Sequence, residues 1–140
     1  MAGSTNGAAP ISPDLSLEDC LNRLDGKDIE AVEIASGNLN GSSHCPVDDL
    51  LASDVTCRQY KQTVEAHGFE LCALSCHSNA LHPDPEKQNR YLDVQHKSIR
   101  LAQKLGVATV NTFSRCPGDS SKYANWVASP WPDENQQLLN

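Results

Sequence analysis

The sequence predicts an α/β protein in which parallel strands alternate with helices. Three stretches have the apolar composition of strands, residues 29–35, 69–76 and 107–113, and a helical pattern precedes each of them. Strands that alternate with helices over short connections pair in parallel, because the helix carries the chain back across the sheet. A closed barrel of eight such units takes about 250 residues. The chain has 140 residues, so about three parallel strands are expected in a sheet that does not close.

The amino-terminal part is predicted to hold an arm, a short helix and a strand. Residues 1–13 are small and polar, supply no apolar strand, and are expected to form a flexible arm. Ser16 and Asp19 have the spacing of a capping box, which starts a helix over residues 17–24. The first predicted strand, residues 29–35, follows this helix.

The middle of the chain is predicted to contain a loop, a helix and a buried strand. Residues 37–53 form a polar loop with at most one helical turn at residues 47–51. Asp54 is expected to cap the start of a helix. This helix is expected to extend through His67, because a glycine follows its apolar stripe. Residues 69–76 (FELCALSC) are nearly apolar throughout, which is typical of a strand covered on both faces.

A longer helix and a third strand are predicted next. After a loop over residues 77–84, Asp84 and the proline that follows it are typical of a helix N-terminus, and this helix runs to about residue 105. Its inward stripe consists of Tyr91, Val94, Ser98, Leu101 and Leu105. Residues 107–113 form the third strand, and the remainder is loop-like until a helix begins at Pro132.

Charge and hydropathy exclude two classes of partner. The chain carries 18 acidic and 11 basic residues, a net charge of −7, and the basic residues are scattered. Because phosphate backbones are bound by clustered lysine and arginine, no nucleic acid partner is expected. No apolar run reaches the length of about 20 residues that a membrane span needs, and no signal peptide pattern is present. The protein is therefore expected to be cytoplasmic, without a membrane partner.

The cysteines are predicted to be free thiols. There are six of them, but a disulfide framework belongs to short secreted chains. Cys72 and Cys76 lie on one predicted strand, where the rise per residue separates them by about 13 Å. That distance is beyond the reach of a disulfide.

Histidines and cysteines are concentrated where the predicted strands end. Ligands bind at the carboxyl ends of parallel strands, because the loops gather there. The residues at these ends are His44, Cys45, Cys76, His77, Asn79, His82, Asn111, Ser114, Arg115 and Cys116. Imidazole and thiolate are zinc ligands, although no CxxC or HxxxH spacing indicates a structural metal site. Alternatively, the cysteines fill gaps between strands and the histidines bond to nearby carbonyl groups.

Glu33 and two tryptophans are further candidates for a pocket. Glu33 is a carboxylate within an apolar strand, on the opposite side from Val32 and Ile34. Such a group faces a pocket more often than a sealed core, unless the strand is at the sheet edge and Glu33 lies in water. Trp126 and Trp131 lie on a long loop and suit either a lid over a bound ring or a contact that holds the loop in place.

Five segments together match a known family. They are ALSCHSNALHPDP at residues 73–85, RLAQKLG at 100–106, TFSRCPG at 112–118, NWVASPWP at 125–132, and the loop at 41–54 with its adjacent histidine and cysteine. On these segments the chain strongly resembles the sugar phosphate isomerase and epimerase family, which has a xylose isomerase-like TIM barrel. The resemblance implies an incomplete (β/α)8 TIM barrel over residues 14–140, truncated at the carboxyl end.

The resemblance also implies a divalent-metal enzyme, using Mn, Mg or Zn, that moves a proton next to the carbonyl of a sugar or sugar phosphate. In relatives the metal ligands and the paired acid and base glutamates lie on later strands. No catalytic or metal-ligating residue therefore carries over, and this chain is expected to hold none of these metals tightly. The resemblance implies roles only in the wall of the pocket. Glu33, His77 and His82 would be polar groups that face the substrate, and Trp126 would be a lid. By itself the chain is expected to be inactive as an isomerase.

Two other functions remain open at this point, so whether the chain is an enzyme is undecided. A half barrel has open sheet edges, which favour self-association, and the chain is alternatively a non-catalytic binding module that dimerises. A thiol-dependent metal or redox module would instead use Cys45, Cys76 and Cys116.

Overall fold

Four parallel strands form one sheet in the computed structural model, which describes residues 6–8, 14–82 and 84–113. The strands pair in chain order, and they are β1 (Asn6–Ala8), β2 (Ala31–Ala35), β3 (Glu70–Ser75) and β4 (Val110–Asn111). The predicted α/β class, with parallel strands that alternate with helices, is confirmed.

The first strand corrects the prediction for the amino terminus. The sequence predicts no strand within residues 1–13, yet β1 pairs with β2 and places Gly7 opposite Val32. The segment Asn-Gly-Ala has no apolar alternation, which is the signal that identifies a strand in a sequence. Only the backbone pairing with β2 reveals it. As a result the described sheet has four strands instead of three, and β2 has a neighbour on each side.

Four helices connect the described strands. They are α1 (Leu17–Leu24), α2 (Val47–Ala52), α3 (Asp54–Ala66) and α4 (Pro85–Leu105). The bounds of α1 and α4 are as predicted, and α3 ends one residue early. The six residues of α2 exceed the predicted single turn because Val47 and Leu50 pack into the core. None of the helices in the described ranges has the length and apolar character needed to cross a bilayer.

Side-chain caps begin α1 and α4 as the sequence predicts. Ser16 Oγ accepts a hydrogen bond from Asp19 N at 3.1 Å and donates one to the Asp19 carboxylate at 2.7 Å. Asp84 Oδ1 accepts a hydrogen bond from Glu86 N at 2.9 Å. Both caps satisfy amide groups that have no partner inside the helix.

The cap of α3 is Ser53, and the predicted cap Asp54 is wrong. Ser53 has extended backbone angles and accepts a hydrogen bond from Thr56 N at 3.2 Å, whereas Asp54 is already helical. The Asp54 carboxylate instead lies 2.8 Å from Lys104 Nζ. The hydrogen bond from this lysine lowers the pKa of Asp54.

The third predicted strand, residues 107–113, is shorter than expected. Val107 N donates a hydrogen bond to Ala102 O at 2.8 Å, so Val107 closes the end of α4 and does not join the sheet. Pairing with β3 then begins, and Cys76 N donates to Asn111 O at 2.8 Å.

The core lies between the sheet and the helices. Its strand residues include Val32, Ile34, Leu71 and Leu74, and its helix residues include Leu21, Leu50, Val64, Leu101 and Leu105. The predicted stripe of α4 is buried only in its carboxyl-terminal half, and Tyr91 and Val94 are half-buried. The amino-terminal half of α4 packs on the loop after β2, where Asn38 Nδ2 donates to Tyr91 O at 3.5 Å.

Candidate functional site

The segments that follow β2 and β3 lie side by side at one rim of the sheet. Ser36 N donates a hydrogen bond to Ser75 O at 2.8 Å, and Leu39 N donates to His77 O at 3.1 Å. These bonds continue beyond the strands, so the loops leave the sheet together. The residues that directly follow β2 and β3 are thereby brought to this rim.

Glu33 is hydrogen-bonded across the sheet to Asn111. The Asn111 amide donates from Nδ2 to Glu33 Oε2, which bridges β2 and β4 over β3. Ala73 of β3 pairs with Glu33, and its small side chain leaves room for the bridge. Both bridging residues are half-buried, on the face opposite the core. The alternative that Glu33 lies in water on an edge strand is wrong, because β1 and β3 flank β2. Whether Glu33 contacts a substrate stays a prediction.

His77 lies directly after β3 and stacks on Phe113. Their ring centroids are 4.1 Å apart and their planes are inclined by 12°. His77 Nδ1 is buried and has no hydrogen-bond partner among the described residues. Because Phe113 is 39% exposed, the stacked pair presents an aromatic surface at the rim.

His82 is buried, with 2% of its surface exposed, and the start of α4 orients it. Its Nδ1 accepts a hydrogen bond from Asp84 N at 2.9 Å, and its backbone N donates to Asn79 O at 3.1 Å. The ring lies 6.1 Å from the Tyr91 ring, at 60°. His82 Nε2 has no hydrogen-bond partner in the part of the chain that the structure describes.

Ser78 is a rim residue that sequence reasoning missed. Its side chain is fully buried, and within the described ranges Ser78 Oγ has no hydrogen-bond partner. Asn79, which the sequence did single out, is also fully buried, and its Oδ1 accepts from Leu81 N at 3.1 Å. The only available signal was the position of Ser78, directly after a buried strand and between two candidate residues.

Several predicted site residues lie outside the described residues. These are Ser114, Arg115, Cys116, Trp126 and Trp131, together with the helix predicted at Pro132. The lid role of Trp126 therefore stays a prediction.

His44 and Cys45 do not join the rim residues. His44 Nε2 lies 2.9 Å from Leu15 O and 3.6 Å from Cys20 Sγ, so the ring is held against α1. Cys45 is fully buried, and burial raises the pKa of its thiol to about 11. Tyr60 of α3 donates to His44 O at 2.9 Å. These contacts agree with the alternative in which the histidine bonds to a nearby carbonyl and the cysteine fills space.

The five described cysteines are all free, as predicted, and they are Cys20, Cys45, Cys57, Cys72 and Cys76. Cys72 Sγ donates to Val32 O at 3.3 Å, and Cys76 Sγ accepts from Asn38 Nδ2 at 3.1 Å. Burial raises the pKa of both the Cys57 and the Cys72 thiols. A neutral thiol is a poor nucleophile and a poor metal ligand, so these contacts favour a structural role.

The described residues do not fit the divalent metal that the resemblance implies. A metal site needs several His, Cys, Asp or Glu side chains that converge on one point. No group of three such residues occurs in residues 14–82 and 84–113. The neighbour of Glu33 is an amide that donates a hydrogen bond to it, so this pair offers one carboxylate and no second anionic ligand.

A groove of about 520 Å³ lies beside the rim, between the loop after β2, α2 and α4. Lys97 Nζ lies 3.1 Å from Asp48 and 3.2 Å from Asp93, and these two carboxylates raise the pKa of Lys97. Gly37 forms part of the wall, where an added Cβ would collide with Val94 Cγ1. Since the lysine charge is already paired, the groove offers little attraction to a phosphate.

Comparison with known proteins assigns the family. The family model for the xylose isomerase-like TIM barrel matches residues 27–137. The chain belongs to the xylose isomerase-like TIM barrel family. The uncharacterized protein YfiH of Bacillus subtilis (strain 168) is 32% identical over 130 residues, which are 90% of this chain and 41% of that relative. The chain therefore spans less than half the length of the curated relative that it matches.

Membership in the xylose isomerase-like TIM barrel family confirms the resemblance. It also makes the rim the place where a ligand is expected to bind. In TIM barrels, active sites lie at the carboxyl ends of the strands. That is the end of the sheet where Glu33, His77 and His82 are found in this chain.

Proposed function

We propose that this chain contributes the sugar-binding wall of a divalent-metal-dependent isomerase or epimerase. Such an enzyme moves a proton next to the carbonyl of a sugar or sugar phosphate. The observation that carries the proposal is the Glu33 and Asn111 pair, which bridges β2 and β4 on the sheet face opposite the core. Family membership supports the general kind of protein.

Glu33 is proposed to hold a sugar hydroxyl group. A carboxylate accepts hydrogen bonds through both of its oxygens, and Asn111 donates to Oε2, so Oε1 is suited to a ligand. General acid and base catalysis needs a group that gains and loses a proton. The Asn111 amide cannot act as the second acid or base, so we propose that the pair binds and orients the sugar.

The two histidines and Trp126 are proposed to complete this wall. The stacked rings of His77 and Phe113 form an apolar surface against which the C–H groups of a sugar ring can pack. His82 presents a ring nitrogen from the same loop. Trp126 is proposed to cover the sugar from the other side, because a large aromatic surface suits that contact.

The metal and the proton-transferring carboxylates are proposed to lie outside the described residues. We also propose that the 140-residue chain by itself binds sugars without converting them. The test is incubation of the purified chain with millimolar manganese or magnesium and a panel of aldoses and ketoses. Any turnover in this assay would contradict the proposed inactivity.

A binding experiment tests the role of Glu33. Titration of the labelled chain with D-xylose, D-fructose and their phosphate esters, followed by NMR, should give saturable shifts at the rim. Glu33→Gln is expected to weaken binding about tenfold, which corresponds to about 1.4 kcal/mol. Glu70→Gln is the matched control, because Glu70 is an exposed carboxylate at the opposite end of β3. Equal affinities for the two variants would contradict the proposed site.

A second candidate function is self-association through the edges of the sheet. Within the described residues, β1 and β4 each pair with a single neighbour, and unpaired strand edges favour association. Light scattering coupled to size exclusion tests this proposal. A discrete dimer that dissociates when proline is introduced at an edge strand would support it, whereas a monomer at all concentrations would contradict it.

A cytoplasmic location is proposed because the five described cysteines are all free thiols. Free thiols are typical of reducing compartments. Cell fractionation that finds the protein outside the cytoplasmic fraction would contradict the proposal.

A further inference from the structure

Three buried polar atoms in one loop have no hydrogen-bond partner among the described residues. They are His77 Nδ1, Ser78 Oγ and His82 Nε2, all within residues 77–82 after β3. Buried polar side-chain atoms are nearly always bonded, and each exception calls for an explanation such as a ligand, an ion or a water. Three exceptions in six residues, at the end of the sheet where TIM barrels bind ligands, point to one common cause.

The hydrogen bond at Nδ1 determines the protonation of His82. Asp84 N donates to His82 Nδ1 at 2.9 Å, so Nδ1 must present its lone pair and carries no proton. In a neutral imidazole the proton then resides on the other nitrogen. His82 Nε2 is therefore an N–H donor, and it lacks an acceptor in the described part of the chain.

Hydrogen bonds hold the backbone of the loop in one conformation. The unpartnered side-chain atoms therefore do not gain partners by a change of the backbone. His82 N donates to Asn79 O at 3.1 Å, and Leu81 N donates to Asn79 Oδ1 at 3.1 Å. Gln88 Nε2 of α4 donates to Ala80 O at 3.1 Å. These backbone groups of the loop thus have hydrogen-bond partners. The side chains of Ser78 and His82 are held in place, and each has a hydrogen-bond donor without an acceptor among the described residues.

The loop itself offers no cation to an anionic ligand. Phosphate is usually recognised by arginine, lysine or the free amides of a helix N-terminus. Residues 77–84 contain no lysine or arginine. The first amides of α4 are already occupied, because Asp84 Oδ1 accepts from Glu86 N at 2.9 Å and from Lys87 N at 3.4 Å. The carboxylate of Asp84 would also repel an anion.

We propose that Ser78 and His82 form a subsite for an uncharged oxygen of a sugar, a carbonyl or a hydroxyl, with the Nε2–H group of His82 as the donor. The inference rests on the proposed function, and it adds Ser78 to the site and assigns a fixed proton to His82. Ser78 can donate to a sugar oxygen or accept from a hydroxyl group. Because both atoms are closed to solvent in the sugar-free chain, binding is expected to displace the residues that cover the loop.

Imidazole NMR of the full chain tests the subsite. In the free protein, long-range proton–nitrogen spectra should show His82 as the neutral Nε2–H form. D-Fructose should shift both ring nitrogens of His82, and inorganic phosphate at the same concentration should not. Ser78→Ala and His82→Gln are expected to weaken fructose binding at least about tenfold. His96→Gln is the control, since His96 is exposed on α4, and it should leave binding unchanged.

Ser78→Ala separates a binding role from a structural one. Because its hydroxyl group has no described partner, the variant should unfold at the same denaturant concentration as the parent chain or at a higher one. Fructose affinity that survives Ser78→Ala and His82→Gln, a shift caused by phosphate alone, or a bound water as the sole occupant would each overturn the inference. If fructose binds and Glu33→Gln weakens it while Ser78→Ala does not, only this inference fails. If no sugar binds the parent chain, the proposed function fails as well.

Discussion

Two buried regions of this chain differ in whether their polar side chains are hydrogen-bonded. Where the loop after β2 packs against α4, Ser36 Oγ donates to Ser98 Oγ and Ser98 Oγ donates to Val94 O, each at 2.9 Å. In the loop after β3, Ser78 Oγ and His82 Nε2 have no partner among the described residues. A buried polar group left unsatisfied costs about 1–3 kcal/mol. The contact with α4 therefore adds stability, whereas the loop after β3 loses stability at the end of the sheet where TIM barrels bind ligands.

The largest effect is expected on the helix-covered side. Leu74 is fully buried in the core, and Leu74→Ala should lower the free energy of unfolding by about 3 kcal/mol, because it removes apolar contacts and leaves a cavity. Ile99→Ala is the control, since Ile99 is 49% exposed on α4, and its effect should stay within about 0.5 kcal/mol. Denaturant unfolding measures both. Similar losses for the two variants would mean that this face is not the core.

The next effect tests the contact between the loop after β2 and α4. Gly37 has φ of +145°, and an added Cβ would collide with Val94 Cγ1, so Gly37→Ala should cost about 2 kcal/mol. Gly41 also has a positive φ, +69°, but no atom lies within 4 Å of an added Cβ. Gly41→Ala should therefore cost only the conformational strain, about 1 kcal/mol. If both variants unfold at the same denaturant concentration, the close packing of Gly37 on α4 is contradicted.

A smaller effect compares the two buried serines directly. Ser98→Ala removes a hydroxyl group that is bonded on both sides and should cost about 1 kcal/mol. Ser78→Ala removes one without a described partner and should cost nothing measurable. The same unfolding assay checks both. Should Ser78→Ala prove the more costly change, the contrast between the regions would be reversed.

The last effect appears only at alkaline pH. Burial raises the pKa of Cys45 from 9.0 to about 11. Because the pKa is higher in the folded state, the stabilisation is complete below pH 9 and is lost as the pH rises from 9 to about 11. Unfolding midpoints across this window should fall more steeply for the parent chain than for Cys45→Ala. Parallel curves would contradict the burial of this thiol.

Much of the fold was predictable because its signals are local. The capping pair Ser16 and Asp19, and Asp84 before a proline, identify helix starts from neighbouring residues alone. The strand at Asn6–Ala8 was missed because its pairing with β2 is purely a backbone interaction. Likewise the cap at Ser53 could not be distinguished from Asp54, because serine and aspartate both cap helices and only the structure shows that Asp54 lies within the helix.

The candidate site was only partly predictable. Glu33 and His82 stood out as polar residues next to apolar strands, and the structure places both near the carboxyl ends of the strands. No sequence pattern indicates that Asn111 reaches Glu33 across β3, or that Ser78 is buried without a described partner. Both facts depend on residues that are distant in the chain or on burial, which a single sequence does not encode locally.

By itself, the sequence determined the α/β class, most helix bounds, the free thiols and the family resemblance, because these depend on local pattern, spacing and composition. Only the tertiary structure decided that β2 is flanked on both sides, that Glu33 is tied to Asn111, and that His82 keeps a fixed donor. The physical reason is that strand pairing and the hydrogen bonds of buried groups are set by neighbours in space, and those neighbours are separated along the chain.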